Sequence, residues 1–240
     1  MKMTIGKPSL QPGRLLLFVL LLPAFLAAAP AQNGGWEEMP AILARITPPG
    51  FPARDLEITA FGARGDGLYD CTEAIRAAIT ACSEAGGGRV IVPVGTFLTG
   101  AIHLESRINL HLVEGATLLF KTDPEAYLPV VFTRNEGIEC MNYSPFIYAF
   151  GKEDIAITGS GTLDGQADKG VWWSWKKQET EPRQEGETVS ESDRDRLVRM
   201  GREGIPVAER LFGRGYRLRP NFIQPYNCHN VLIEGVRIKG

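Results

Sequence analysis

One phrase recurs along the 240 residues and limits what the chain can fold into: a short apolar run, a glycine corner, then a second apolar pair. It is spelled Glu114-Gly115-Ala116-Thr117-Leu118, Gly159-Ser160-Gly161-Thr162-Leu163 and Glu234-Gly235-Val236-Arg237-Ile238. The strand-like runs are Val90-Ile91-Val92, Ile108-Asn109-Leu110-His111-Leu112, Ile155-Ala156-Ile157 and Val231-Leu232-Ile233, closed by Gly95, Gly115, Gly159 and Gly235. Each is short and β-branched or leucine-rich, which reads as strand. The first two begin close to 20 residues apart, one coil of a parallel β-helix; later intervals of 47 and 76 residues call for insertions that leave the coil. A β-sandwich also uses many short strands, but its hairpins favour two-residue turns between alternating strands. Here Asp66-Gly67 runs into a helical pattern, and Asp164-Gly165 into polar residues and Trp172-Trp173. The expected fold is an all-β parallel solenoid.

What precedes the coils is of a different kind. Lys2, Lys7 and Arg14 lead into the apolar run Leu15 to Leu26, and Ala29-Pro30-Ala31 offers small residues for cleavage before Gln32. Residues 1–31 are therefore expected to be a signal peptide, since the run is shorter than the ~20 residues of a membrane span. Its removal leaves 209 residues with net charge −5, an exported chain bound for the periplasm or the exterior. Residues 32–54, with Pro40, Pro48, Pro49 and Pro52, are expected to be an extended lead-in. Ala74, Ile75, Ala78, Ile79 and Cys82 then recur with helical period. Asp70 is the expected cap, Glu73 completes a capping box, and Gly86-Gly87-Gly88 stops the helix. That helix holds Cys71 and Cys82 about 16 Å apart along its axis, so they cannot pair. Of the four cysteines, Cys71, Cys82, Cys140 and Cys228, at least two are expected to be buried free thiols.

The largest insertion spans Asp168 to Arg219. Between Lys176 and Arg210, 17 of 35 residues are charged, eight positive and nine negative. A surface loop with a short helix around Ser192 to Met200 explains this composition; a lid over an acidic saccharide through Arg194, Arg196, Arg199 and Arg202 is the sharper alternative. Trp172, Trp173 and Trp175 either stack on sugar rings or pin the insertion to the solenoid wall, with the structural role favoured. Asp66 and Asp164 sit in glycine-flanked turns, where Asp commonly accepts from its own backbone. The sequon Asn142-Tyr143-Ser144 is discounted because Pro145 follows it. No nucleophile elbow, zinc-protease motif, Walker loop or dinucleotide fingerprint is present. A net charge of −2 without a basic run speaks against nucleic acid.

Beyond these local readings, Ile58-Thr59-Ala60-Phe61-Gly62-Ala63-Arg64-Gly65-Asp66-Gly67 followed by Asp70-Cys71-Thr72-Glu73-Ala74-Ile75 resembles the opening of the pectate-lyase-like, right-handed parallel β-helices. Gly87-Gly88-Arg89-Val90-Ile91-Val92-Pro93 through Gly100, Leu104-Glu105-Ser106, Glu114 to Leu118 and Gly161 to Gln166 before Trp172-Trp173 resemble glycoside hydrolase family 28, the polygalacturonases, over residues 55–240. The resemblance implies inverting hydrolysis of α-1,4-galacturonosyl linkages in pectin or oligogalacturonides, with no metal and no organic cofactor. The family's signature is Asn-Thr-Asp, Asp-Asp, Gly-His-Gly, then Arg-Ile-Lys. The first three are missing from these residues, and Arg237-Ile238-Lys239 falls too early and fits a strand with Arg237 and Lys239 outward. No catalytic residue is assigned; the catalytic coils are expected beyond Gly240, the chain being a front portion with an incomplete C-terminal end. The competing expectations are a non-catalytic saccharide-binding or adhesin-like β-helix, and a lyase using Ca²⁺-binding carboxylates and a basic proton acceptor.

Overall fold

The computed structural model describes residues 35–175 and 191–240; the expected signal peptide, residues 1–31, lies outside them. A first compact unit ends at Ile46. Its described part is not extended as the prolines suggested: Trp36–Glu38 is a 3₁₀ turn and Met39–Leu43 a short α-helix. Pro40 sits in the first turn of that helix, where a missing N–H costs nothing.

The second unit, Thr47–Gly240, is a right-handed parallel β-helix with three faces. The first face stacks Asp55–Glu57, Gly88–Val92, Ile108–Leu112, Glu153–Gly159 and His229–Glu234. The second stacks Asp66–Asp70, Gly95–Thr99, Ala116–Phe120, Thr162–Asp164 and Arg237–Lys239. The third is shorter: Ile102–His103, Ile147–Phe150 and Ile223–Tyr226. All pairings within these faces are parallel, and the register Arg89↔Asn109↔Ala156↔Leu232 gives steps of 20, 47 and 76 residues. The intervals read from the apolar runs are thus the coil lengths.

Alternation along each strand sends every second side chain inward. Val90, Leu110, Ile157 and Ile233 form one inward column; Phe97, Leu118, Leu163 and Ile238 form another. The earlier members of both columns are fully buried, each such side chain contributing roughly 1.5–3 kcal/mol. Ile233 and Ile238, on the last coil, are 44% and 54% exposed.

The glycine corners have a steric cause. A Cβ on Gly159 would lie 1.9 Å from the Leu112 carbonyl oxygen, and one on Gly235 would lie 2.3 Å from the Gly159 oxygen. At these two corners a side chain would strike the backbone of the coil before, whereas at Gly115 a Cβ would meet only the Val94 side chain at 3.5 Å.

Thr72–Glu84 forms the expected helix, burying Ala74, Ile75, Ala78, Ile79 and Cys82. Its cap differs from the expected box. Cys71 is the N-cap residue and Asp70, one position earlier, accepts from Thr72 N at 3.0 Å and from the Thr72 hydroxyl at 2.6 Å. Glu73 turns outward to Arg76 instead of back to the cap. At the other end Gly87 N donates to Cys82 O and Gly86 N to Ser83 O, a double closure that requires the left-handed backbone of Gly86. Cys71, Cys82 and Cys140 are buried free thiols and Cys228 is a half-buried one.

Candidate functional site

Two excursions from the coils frame a cleft that could receive a ligand. Val131–Asn135 and Ile138–Asn142 form an antiparallel hairpin, and Leu211–Phe212 pairs with its second strand. The insertion leaves the second face at Asp164 and rejoins the third at Ile223. Within it Asp193–Arg202 is helical, capped by Ser192, whose hydroxyl accepts from Asp195 N at 3.1 Å. Asn142 Nδ2 donates to Leu218 O at 3.0 Å and Asn221 Nδ2 to Arg134 O at 2.9 Å, tying hairpin to insertion.

Between them lies a cleft of about 330 Å³, lined by Trp172, Trp173, Phe222, Arg219 and Glu136 among others. Asp168 Oδ1 accepts from Gly170 N at 2.7 Å and Val171 N at 3.0 Å, which starts the helical turn at 172–175 and sets the tryptophans. Gly165 makes room for the aromatic wall, because a Cβ there would lie 2.7 Å from the Phe222 ring.

The three tryptophans divide between the two roles considered from sequence. Trp172 is 5% exposed and packs on Tyr127 and Phe146; Trp175 packs on Trp172 and Tyr143. Trp173 is 47% exposed at the cleft, with the Arg219 guanidinium 5.4 Å from its ring centroid. Arg219 has no hydrogen-bond or ion-pair partner for its guanidinium among the described residues. Trp172 Nε1 and Asn142 Oδ1 are buried polar atoms without partners.

The short helix favoured for the insertion is present, and most arginines of the alternative lid are engaged elsewhere. Arg194 pairs with Glu136 and Asp195, Arg199 with Glu191 and Glu203, and Arg196 lies over the Tyr216 ring. Arg194 and Arg199 are thus neutralised by carboxylates, which weakens the field they could offer an anion. Glu136, the acidic group on the cleft wall, is neutralised by Arg194 at 2.6 Å. Residues 176–190 of the charged insertion lie outside the described residues.

Asp66 and Asp164 hold the turn roles favoured for them. Asp66 Oδ1 accepts from Leu68 N and Tyr69 N, both at 2.8 Å, and these bonds hold its carboxyl below the usual range. Asp164 accepts from Gln166 N at 3.0 Å and pairs with Lys239 Nζ at 3.0 Å. Arg237–Lys239 is a strand paired to Thr162–Asp164, as the alternation required. The sequon residues Asn142, Tyr143 and Ser144 are all buried. Among the described residues, no three His, Cys, Asp or Glu side chains are placed to hold a metal ion, and no helix is long and apolar enough to cross a membrane. Sequence reasoning missed Arg219, which carries no motif and meets Trp173 only through the fold.

A three-faced parallel β-helix with an aromatic cleft walled by its insertions is the class the fold and site define. No family model matches the chain. Polygalacturonases stand first among the proteins it is similar to. A hyperthermoactive exopolygalacturonase from Thermotoga maritima superposes with TM-score 0.77 at 50% identity, covering 84% of this chain and 45% of that one. An exo-poly-alpha-D-galacturonosidase of Dickeya chrysanthemi is 31% identical over 158 residues, 62% of this chain and 25% of its own length. A "Probable polygalacturonase" of Vitis vinifera is 33% identical over 130 residues, 50% of this chain and 26% of its own. The chain thus spans about a quarter of these curated relatives and under half of the solved structure.

Proposed function

We propose that this chain forms the N-terminal coils of a pectin-degrading glycoside hydrolase that cleaves α-1,4-galacturonosyl linkages with inversion. The observation that carries the reading is the 50% identity to the Thermotoga exopolygalacturonase, sustained over 84% of this chain. Inversion requires an acid and a base carboxyl about 6.5–9.5 Å apart. Asp66 and Asp164 are committed to turns, so the reading assigns that pair to coils following Gly240. The exposed Ile233 and Ile238, in columns otherwise buried, are compatible with a further coil above them. Export is part of the same proposal, with residues 1–31 removed before Gln32.

The test compares the 240-residue chain with the product of its reading frame continued through further coils. Reducing ends should appear from polygalacturonate only with the longer protein, and NMR of its first product should show the inverted anomer. Hydrolysis by the 240-residue chain alone would overturn the placement of the carboxyls. Retention of configuration would overturn inversion. N-terminal sequencing of exported protein should begin at Gln32.

A further inference from the structure

We infer that the cleft between hairpin and insertion is a subsite for one acidic sugar residue, with Arg219 binding the carboxylate and Trp173 stacking on the ring. The inference rests on the galacturonan reading and assigns it particular side chains.

Arg219 is distinguished by its place: among the described residues it is the arginine lining the cleft, whereas Arg196, which also rests on an aromatic face without an ion pair, does so at Tyr216. Arg134, Arg194, Arg199, Arg210 and Arg214 each hold a carboxylate or a carbonyl oxygen. Arg219 holds only the face of Trp173, and that stacking fixes the guanidinium plane beside an aromatic surface still 47% exposed. Its five N–H donors remain unspent, in the planar fork that matches a carboxylate. The acidic side chain on the wall, Glu136, is held by Arg194 and does not compete for Arg219; Gly240 lines the same cleft.

These groups together suit a ligand with an apolar face and an anionic substituent. A uronate ring presents both: axial and equatorial C–H bonds for the indole and a carboxylate at C5 for the guanidinium. A neutral hexose supplies only the first. The cleft volume of about 330 Å³ accommodates one or two sugar rings.

The experiment is titration of the 240-residue chain with trigalacturonate and with neutral galactotriose, read by tryptophan fluorescence, beside cosedimentation with insoluble polygalacturonate. Trigalacturonate should give a saturable change that weakens with added salt, and galactotriose should bind at least ten-fold more weakly. Arg219→Ala should weaken trigalacturonate about ten-fold and abolish the preference over galactotriose, with Arg219→Lys recovering part of it. Trp173→Ala should weaken both sugars. Unchanged trigalacturonate binding in folded Arg219→Ala and Trp173→Ala overturns the subsite and leaves the galacturonan reading standing. Absence of a trigalacturonate response also overturns the subsite; retention on polygalacturonate then preserves the broader reading, and failure to be retained removes both.

Discussion

Replacing Gly159 by Ala isolates the contact that sets the spacing of the coils. Gly159 has φ +106°, and a Cβ there would lie 1.9 Å from Leu112 O and 2.8 Å from Leu112 C. The left-handed backbone alone costs a non-glycine residue roughly 1–2 kcal/mol. The backbone clash adds an overpacking term of about 1–3 kcal/mol, because the struck atom is a carbonyl fixed in a ladder and cannot rotate away. Gly86→Ala supplies the internal control: φ is +96° and nothing lies within 4 Å of the added methyl, so only the conformational term applies. With a urea slope of about 2 kcal/mol/M, Gly86→Ala should lower the midpoint by roughly 0.5–1 M and Gly159→Ala by roughly 1–2.5 M. Urea unfolding followed by circular dichroism measures both. Equal shifts in the two variants would refute the argument that the corner glycines exist for close approach between coils.

Other consequences concern polar groups on the coil surface and the thiols. The Thr158 hydroxyl donates to Asn109 Oδ1 and accepts from His111 Nδ1, each at 2.8 Å, while partial burial and then the Arg89 charge hold the imidazole below its ordinary 6.5. The unfolded chain therefore binds this proton more readily than the native one. Stability contributed by neutral His111 should fall as pH drops through about 6.5, and His111→Gln should flatten the dependence of the melting temperature between about pH 7.5 and 5.5. A slope unchanged by the substitution would assign the titration elsewhere. Arg89 meets Asp55 in a two-pronged pair at 2.8 and 2.5 Å, but the side chains are 44% and 50% exposed. A double-mutant cycle should give no more than about 1 kcal/mol for it, declining with salt. Burial pushes the Cys140 thiol up to about 12, and Cys71 and Cys82 also rise. Native protein should therefore expose at most Cys228 to a thiol reagent on the minute scale, with the other three reacting after unfolding.

The first two faces of the solenoid were legible because one side of each strand is buried and the corner glycines Gly159 and Gly235 are sterically compelled. The third face was not, and the reason is visible at Ile147-Tyr148-Ala149, where three successive residues are buried. The hairpin covers the outer side of this strand, Phe132 O accepting from the Tyr148 hydroxyl at 2.6 Å, so alternation is erased. Its neighbour Ile223–Tyr226 contains Pro225, which reads as a strand breaker. The hairpin itself turns at Glu136 and Gly137, with φ +45° and +89°. Glutamate is a rare occupant of that first position, so the turn lacked the Asn-Gly or Asp-Gly spelling that would have announced it. The cleft was less legible still. Trp173 and Arg219 are 46 residues apart, and their meeting depends on a hairpin and an insertion that both leave the repeat. Local pattern specifies the repeating scaffold, where each coil meets only the next at fixed register. The cleft arises where the repeat is interrupted, which is why Arg219 could be found only from the contact its guanidinium makes with Trp173.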